Sequence, residues 1–259
     1  MLRFFKKKAG PPVAADVASR AFILKAQIAT CLAIPPPEIT SWLTSDDRQQ
    51  FFEQHRLRQS QLADRLKDLG LWSAMSSSER TFVLAPPHQI DRQAMVNVSW
   101  LMEAEECLLW ALGCVDELPP YDMQSDVDHL KRLGSDDLVT VIRNAKLRDA
   151  EAISSARDVA ELWHWRSRTR QLQEDGRPVQ LPNDMSLEDI VRMAAQKAAA
   201  DGLFEDIGGD FPAFGRSYAQ LTPDEWFQVT SIAMERHRAL NWLCGYAPGN
   251  KWEETPTDT

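Results

Sequence analysis

Glycine is scarce in this sequence, which contains 11 glycines among 259 residues. Proteins contain about 7% glycine on average, and sheet-rich proteins need it where tight hairpin turns require a positive φ. Runs of β-branched residues, which are typical of buried strands, are scarce as well. The sequence therefore predicts an all-α fold, a compact bundle of about seven to nine helices without a significant sheet.

Long apolar segments and paired cysteines are also missing. The longest uncharged apolar run, residues 107–115, is far shorter than the ~20 residues of a membrane-spanning helix. Asp16, Arg20 and Lys25 interrupt the apolar core that a secretory signal needs. The four cysteines include no C-x-x-C pair, which predicts reduced, buried thiols. We therefore expect a soluble cytoplasmic protein with no stable membrane insertion.

The motifs of several common catalytic sites are missing too. The sequence contains no phosphate-binding G-x-x-x-x-G-K-[ST] loop and no dinucleotide-binding G-x-G-x-x-G. It also contains no G-x-S-x-G elbow and no zinc-binding H-E-x-x-H. These absences disfavour an enzyme without excluding one, and we expect no cofactor.

Basic residues are outnumbered by acidic ones. The chain has 29 Lys and Arg against 38 Asp and Glu, a net charge of −9. Such a surface repels phosphate backbones, so we expect no nucleic-acid partner. The same charge favours a basic protein partner, although it also serves solubility alone.

What the sequence does contain is a succession of helix signals. Apolar residues recur at helical spacing, and Ser45, Ser76, Ser186 and Thr222 stand where N-caps precede acidic first turns. The predicted helices cover residues 14–32, 46–69, 77–84, 89–112, 126–133, 136–146, 150–174, 187–201 and 223–244.

The segments between these helices are short and offer no long flexible linker. Residues 206–215, with Gly208-Gly209 and Pro212, form the clearest predicted loop. We expect residues 1–12 to form a disordered basic leader and residues 13–259 to form a single α-helical domain.

A family resemblance rests on two tryptophan-containing runs and the helix between them. The runs are Trp110-Ala111-Leu112-Gly113, at the end of residues 99–113, and Leu240-Asn241-Trp242-Leu243, within residues 235–245. Together with residues 153–166, they resemble a bacterial family called domain of unknown function 4272, from about Arg20 onward. The family has no established activity, so the resemblance implies a fold and no mechanism.

One predicted helix face carries a carboxylate between indoles. Trp100, Glu103, Cys107 and Trp110 are spaced at i, i+3, i+7 and i+10, and Glu106 adjoins them. A carboxylate in this setting is expected to be at least partly buried, and a buried carboxylate must be paired, hydrogen-bonded or protonated.

The last predicted helix offers a complement. Arg236 interrupts its apolar stripe, and His237 and Asn241 share the neighbouring stripe. One hypothesis is a structural ion pair between Arg236 and Glu103 or Glu106. The alternative is a polar pocket formed by Glu103, Arg236, His237 and Asn241.

A single Glu-x-x-His motif, Glu161 and His164, is a candidate for metal binding. Two copies of this motif, with two further glutamates, build di-iron sites in helix bundles. Only one copy is present, and Arg157 and Arg168 extend the same face. This pattern favours a solvated charge stripe, so we expect no metal.

Two classes of function follow from these patterns. The nine tryptophans and the acidic surface favour a non-catalytic interaction protein that binds a protein partner, for instance a basic toxin. The alternative is an enzyme or small-ligand-binding protein that uses the polar pocket. Many of the tryptophans are also expected simply to pin helices to the core.

Overall fold

The computed structural model describes residues 10–35, 42–126, 140, 144–176, 179 and 185–258. Within these residues the all-α prediction is confirmed, because seven α-helices are accompanied by only one two-stranded hairpin. The helices are α1 (Ala14–Leu32), α2 (Ser45–Asp68), α3 (Ser77–Leu84), α4 (Arg92–Ala111), α5 (Ala150–Glu174), α6 (Leu187–Ala200) and α7 (Pro223–Leu243). Single 3-10 turns lie at Trp72–Ala74, Pro87–Gln89, Tyr218–Gln220, Pro248–Asn250 and Trp252–Glu254.

Local capping fixes where most of these helices begin. Capping boxes form at Ser76, Ser186 and Thr222. In each, the side-chain oxygen of the cap residue accepts the backbone N–H of the acidic residue three positions on, and the carboxylate of that acidic residue accepts the backbone N–H of the cap residue. For α2, however, the prediction of Ser45 is wrong. The N-cap is Thr44, whose Oγ1 accepts the backbone N–H of Asp47 at 3.2 Å.

The start of α4 is also later than predicted. Residues 87–89 form a separate 3-10 turn, and α4 begins at Arg92. The Asp91 carboxylate accepts the N–H of Ala94 at 2.6 Å and caps the helix. Most of the residues in the predicted helices over 126–133 and 136–146 and in the predicted leader over 1–12 lie outside the described residues.

The chain divides into two compact units. The N-terminal unit comprises Pro12–Asp116 and Ser125–Arg148, and the C-terminal unit comprises Met1–Pro11, Glu117–Gln124 and Asp149–Thr259. The single domain expected over residues 13–259 stays a prediction. None of the described helices is both long enough and apolar enough to cross a membrane.

In the N-terminal unit, α1 packs along α4, and α3 packs against both α1 and α2. An ion pair ties two of these helices together: Arg20 of α1 donates to Glu79 Oε1 at 2.7 Å, with both side chains buried. Glu79 Oε2 accepts the N–H of Ser76, so one carboxylate both caps α3 and fixes α1 against it.

In the C-terminal unit, α5 packs along α7 around an aromatic core. Trp163, Phe211 and Tyr218 are buried there, and Tyr121 stacks on Trp163 with ring centroids 5.0 Å apart. Strands β1 (Pro212–Ala213) and β2 (Arg216–Ser217) lie within and beside the predicted loop over 206–215. Phe214 and Gly215 both have positive φ, as the two central residues of a type I′ hairpin turn require.

All four cysteines are free thiols. Cys31 and Cys107 are buried and Cys244 is half-buried, whereas Cys114 is exposed. The prediction that the thiols are buried is therefore wrong for Cys114. It follows Gly113, which has positive φ and turns the chain away at the end of α4.

Candidate functional site

Glu103 is buried in the N-terminal unit and holds a loop residue. Its Oε1 accepts the backbone N–H of Ser125 at 2.8 Å, and its Oε2 accepts the Ser125 hydroxyl at 3.0 Å. Glu106 is also buried, and Trp100 and Trp110 are half-buried on the same helix. Glu103 thus joins the middle of α4 to the chain that follows residue 124.

Arg236 is buried in the C-terminal unit and holds a different segment. Its guanidinium donates to the carbonyls of Pro119, Pro120 and Met123, the last at 3.2 Å. It also lies over the Tyr121 ring, 4.9 Å from the centroid. These three hydrogen bonds and the ring contact fix residues 119–123 on α7. The predicted pairing of Arg236 with Glu103 or Glu106 stays a prediction.

His237 and Asn241 belong to a buried hydrogen-bond chain that includes His164. The Nδ1 atoms of His164 and His237 lie 3.1 Å apart. On the other side of the His237 ring, Asn241 Nδ2 lies 2.9 Å from Nε2 and donates to the Pro256 carbonyl at 2.9 Å. This chain of hydrogen bonds therefore links α5, α7 and the C-terminal tail.

The donors in this chain can be assigned from chemistry. An amide nitrogen only donates, so His237 Nε2 accepts from Asn241 and carries no proton. A neutral His237 then carries its proton on Nδ1 and donates it to His164 Nδ1. His164 is left with its own proton on Nε2.

The surroundings keep both imidazoles neutral. Burial and the positive charge of Arg168 lower the pKa of His164 to about 4. Burial, the neighbouring His164 and the Arg157 guanidinium lower the pKa of His237 to about 4. Neutral rings suit a hydrogen-bonded pair, because two protonated rings would both donate and would repel each other.

The same contacts bear on the metal hypothesis for Glu161 and His164. Glu161 pairs with Arg157, and the Nδ1 lone pair of His164 accepts from His237. Nearby guanidinium groups also oppose a further cation. In the part of the chain that the structure describes, no three His, Cys, Asp or Glu side chains are close enough to hold a metal.

A second buried network was not anticipated from the sequence. Arg166, which is 1% exposed, binds Asp210 through two bonds, Nε–Oδ1 at 2.6 Å and Nη2–Oδ2 at 2.8 Å. The Asp210 carboxylate also accepts the backbone N–H groups of Phe211 and Ala219. Arg166 lies over the Tyr218 ring at 4.5 Å from the centroid.

Arg170 and Ser167 complete this network one turn along α5. Arg170 donates to the carbonyls of Tyr218 and Leu221, each at 2.9 Å. The Ser167 and Tyr218 hydroxyls are 2.7 Å apart. In the sequence, Trp163, Ser167 and Arg170 are spaced so that they share one face of α5. This spacing does not predict which residues they contact.

Two surface grooves lie within single units. One, of about 470 Å³, follows the start of α2 and is lined by side chains of both charges and by Phe52. The other, of about 310 Å³, lies between α5 and α6. Neither groove is lined by Glu103, Arg236, His237 or Asn241, the residues of the predicted polar pocket.

The fold and the polar interior define the class of this protein. It is an all-α protein in which buried ionisable side chains are hydrogen-bonded to one another. The chain belongs to the family described as domain of unknown function (DUF4272), which matches residues 7–191. The expected family resemblance is thereby confirmed. The match starts ahead of Arg20 and ends before residues 235–245, which carry His237 and Asn241. No curated protein and no solved structure matches the chain.

Proposed function

We propose that this chain is a non-catalytic interaction protein of the bacterial cytoplasm whose partner is a basic protein. The observation that carries the proposal is that the candidate polar residues are engaged within their own units. Glu103 holds Ser125, Arg236 holds residues 119–123, and His237 lies between His164 and Asn241. Such bonds favour a role of these groups in the fold, because a catalytic group must come within hydrogen-bond distance of the substrate.

The charge of the chain supports a basic partner. With a net charge of −9, the protein attracts cationic surfaces and speeds their association at low ionic strength. The free thiols support the cytoplasm as the compartment, because it keeps cysteines reduced.

Affinity capture from the lysate of the native host tests this function. We expect a stoichiometric protein of net positive charge to be retained at about 0.05 M salt and released at about 0.5 M salt, where charges are screened. An unrelated protein of equal negative charge serves as the control for non-specific ion exchange.

The alternative, a small-ligand site at Glu103, Arg236, His237 and Asn241, predicts a different result. No stoichiometric protein would be captured, and a metabolite fraction would raise the melting temperature of the chain. That outcome would overturn the interaction function.

A further inference from the structure

We infer that the buried pair of His164 and His237 controls the attachment of the C-terminal tail, residues 255–258, through the side-chain amide of Asn241. While the pair is neutral, the amide binds the tail to α7. When the pair takes up one proton, the amide can no longer bind both of its partners, and the tail is released. The C-terminal unit therefore contains a pH-sensitive switch, which does not depend on the proposed partner.

A single nitrogen atom makes both contacts of this amide. Asn241 Nδ2 lies 2.9 Å from His237 Nε2 and 2.9 Å from the Pro256 carbonyl oxygen. Because a carbonyl oxygen only accepts hydrogen bonds, the Asn241 atom beside it is the nitrogen. The same nitrogen faces the imidazole, so the amide donates its two protons to two acceptors. Its bond to Pro256 joins the tail to α7, whereas the bonds of Thr255 are to Trp252, three residues earlier in the chain.

One added proton reverses the role of His237 Nε2. The neutral pair shares one proton between its two Nδ1 atoms, which lie 3.1 Å apart. If His237 takes up the added proton, that proton binds Nε2, because Nδ1 already carries one. If His164 takes it up at Nδ1, His164 becomes the donor between the rings, and His237 must then carry its own proton on Nε2. In both cases Nε2 of His237 becomes a donor, and the two rings stay hydrogen-bonded to each other.

A protonated Nε2 is incompatible with the contacts that Asn241 makes. Without rotation of the amide, two N–H groups would face each other across 2.9 Å. Rotation brings Oδ1 to Nε2, but that oxygen then opposes the Pro256 carbonyl at the same distance. His237 is 1% exposed within α7, whereas residues 255–257 are half-buried and residue 258 is exposed. The tail is therefore the partner that moves.

The groups around the pair set the pH range of the switch. Burial lowers the pKa of both rings, and the charges of Arg168 and Arg157 on α5 lower it further. Arg157 also pairs with Asp158 and Glu161 and lies over the Tyr246 ring. Because both pKa values are lowered to about 4, the tail is bound at neutral pH and is released only in acid.

Further charged groups lie on α7 and beside the tail. Arg238 pairs with Glu235 and lies over the Trp252 ring, and Arg236 binds residues 119–123. Three exposed carboxylates lie between residues 252 and 258, those of Glu253, Glu254 and Asp258. Acid neutralises carboxylates as well as charging histidines, so a test of the switch must keep these three groups and remove only the histidine pair.

NMR spectroscopy of the 15N-labelled chain, titrated from pH 7 to about pH 3.5, tests the switch. The imidazole 15N signals show when His237 Nε2 gains a proton, and the backbone order parameter of Thr257 shows whether the tail is bound. We expect this order parameter to fall from about 0.85 to below about 0.6 as Nε2 is protonated. The amide signals of α5 and α7 are expected to persist, which distinguishes release of the tail from unfolding.

Two variants separate the histidine pair from the carboxylates. In His164→Gln with His237→Gln, neither side chain takes up a proton, and the glutamine oxygen at position 237 can accept from Asn241, so we expect the tail to stay bound across the titration. Asn241→Asp places a carboxylate oxygen against the tail carbonyl and is expected to release the tail already at pH 7. Asn97→Asp makes the same change at an exposed position of α4 and is expected to leave the tail bound at pH 7.

Four results would overturn the inference. Thr257 could stay ordered although His237 Nε2 is protonated, or the double histidine variant could release its tail at the same pH as the unsubstituted chain. The tail could stay bound in Asn241→Asp at pH 7. Finally, the signals of α5 and α7 could disappear together with the order of Thr257, which would mean that the tail has no separate transition.

Discussion

At the scale of single residues, the C-terminal unit depends on a guanidinium that is removed from water. Arg166 and Asp210 form a two-point ion pair, and the carboxylate also accepts two backbone N–H groups. A buried charge of this kind is tolerated because the carboxylate neutralises it, although Arg166 Nη1 is buried and has no hydrogen-bond partner among the described residues. Removing one partner therefore leaves the charge of the other uncompensated in a low-dielectric interior.

We expect Asp210→Asn to lower the free energy of unfolding by roughly 3–5 kcal/mol. The amide cannot neutralise Arg166, and its nitrogen cannot accept the N–H groups that the carboxylate oxygens accept. Urea denaturation followed by circular dichroism measures the change.

The exposed ion pair between Lys197 and Asp201 provides the matched control. Its side chains are 76% and 47% exposed, so Asp201→Asn is expected to change the free energy of unfolding by less than about 1 kcal/mol. Similar losses in the two variants would contradict the assignment of a stabilising role to the buried network.

Glu105 is a buried acid whose surroundings disfavour its charged form. Burial and the neighbouring Glu106 carboxylate raise its pKa to about 8, although the Lys25 charge lowers it. Its Oε1 atom is buried and has no hydrogen-bond partner among the described residues. The native protein therefore keeps this carboxyl protonated at pH values where the unfolded chain ionises it.

We expect Glu105→Gln to stabilise the protein, and to do so more at pH 8 than at pH 5. Above the unfolded-state pKa of 4.5, each pH unit destabilises the unsubstituted native state by up to about 1.4 kcal/mol through this group. The urea midpoints of the two proteins at both pH values give the difference. A gain that is independent of pH would show that Glu105 is ionised in the native state.

At the scale of elements, helix ends are local properties and follow from the sequence. The bounds of α1 and α5 agree with the predicted ranges, and the capping boxes at Ser76 and Thr222 form as predicted. At Thr44 and Ser45 two adjacent hydroxyls compete for the same cap, so the sequence could not decide between them. The hairpin at Phe214 was missed because its turn contains a bulky residue with positive φ.

The partners of the buried polar groups are not local and could not be predicted. Asp210 lies 44 residues from Arg166, and His164 lies 73 residues from His237. Helical spacing identified Glu103 and Arg236 as polar groups on apolar faces, and both are buried. It could not show that each binds nearby loop backbone, because loop paths depend on tertiary packing.

The capping box of α7 allows a test at this scale. Thr222→Ala removes the oxygen that accepts the N–H of Glu225, so we expect a loss of about 1 kcal/mol in the free energy of unfolding. Thr222→Ser keeps the hydroxyl and is expected to retain most of the stability. Chemical denaturation of the three proteins measures both changes, and equal losses for Ala and Ser would contradict the capping role.

At the scale of the whole molecule, two sets of buried groups give opposite pH dependences. The native pKa of Glu105 is raised, so its contribution to stability is lost as pH rises from 4.5 toward about 8. The native pKa values of His164 and His237 are lowered, so their contribution is lost as pH falls from 6.5 toward about 4. Stability should therefore decline on both sides of an intermediate pH.

We expect the free energy of unfolding to fall below pH 6.5 with a slope of up to about 1.4 kcal/mol per pH unit for each histidine, because the unfolded chain binds protons that the native pair excludes. The variant His164→Gln with His237→Gln is expected to be less stable at pH 7, because it loses the hydrogen-bonded pair, and to show a shallower decline between pH 6.5 and pH 4. Glu105→Gln, in contrast, should steepen the decline between pH 6.5 and pH 4.5, where the Glu105 carboxyl opposes the histidines, and should flatten the alkaline side. Urea titrations at closely spaced pH values separate these contributions. An acid-side slope that is unchanged in the double histidine variant would mean that the pair is already charged in the native protein or that other groups control the decline.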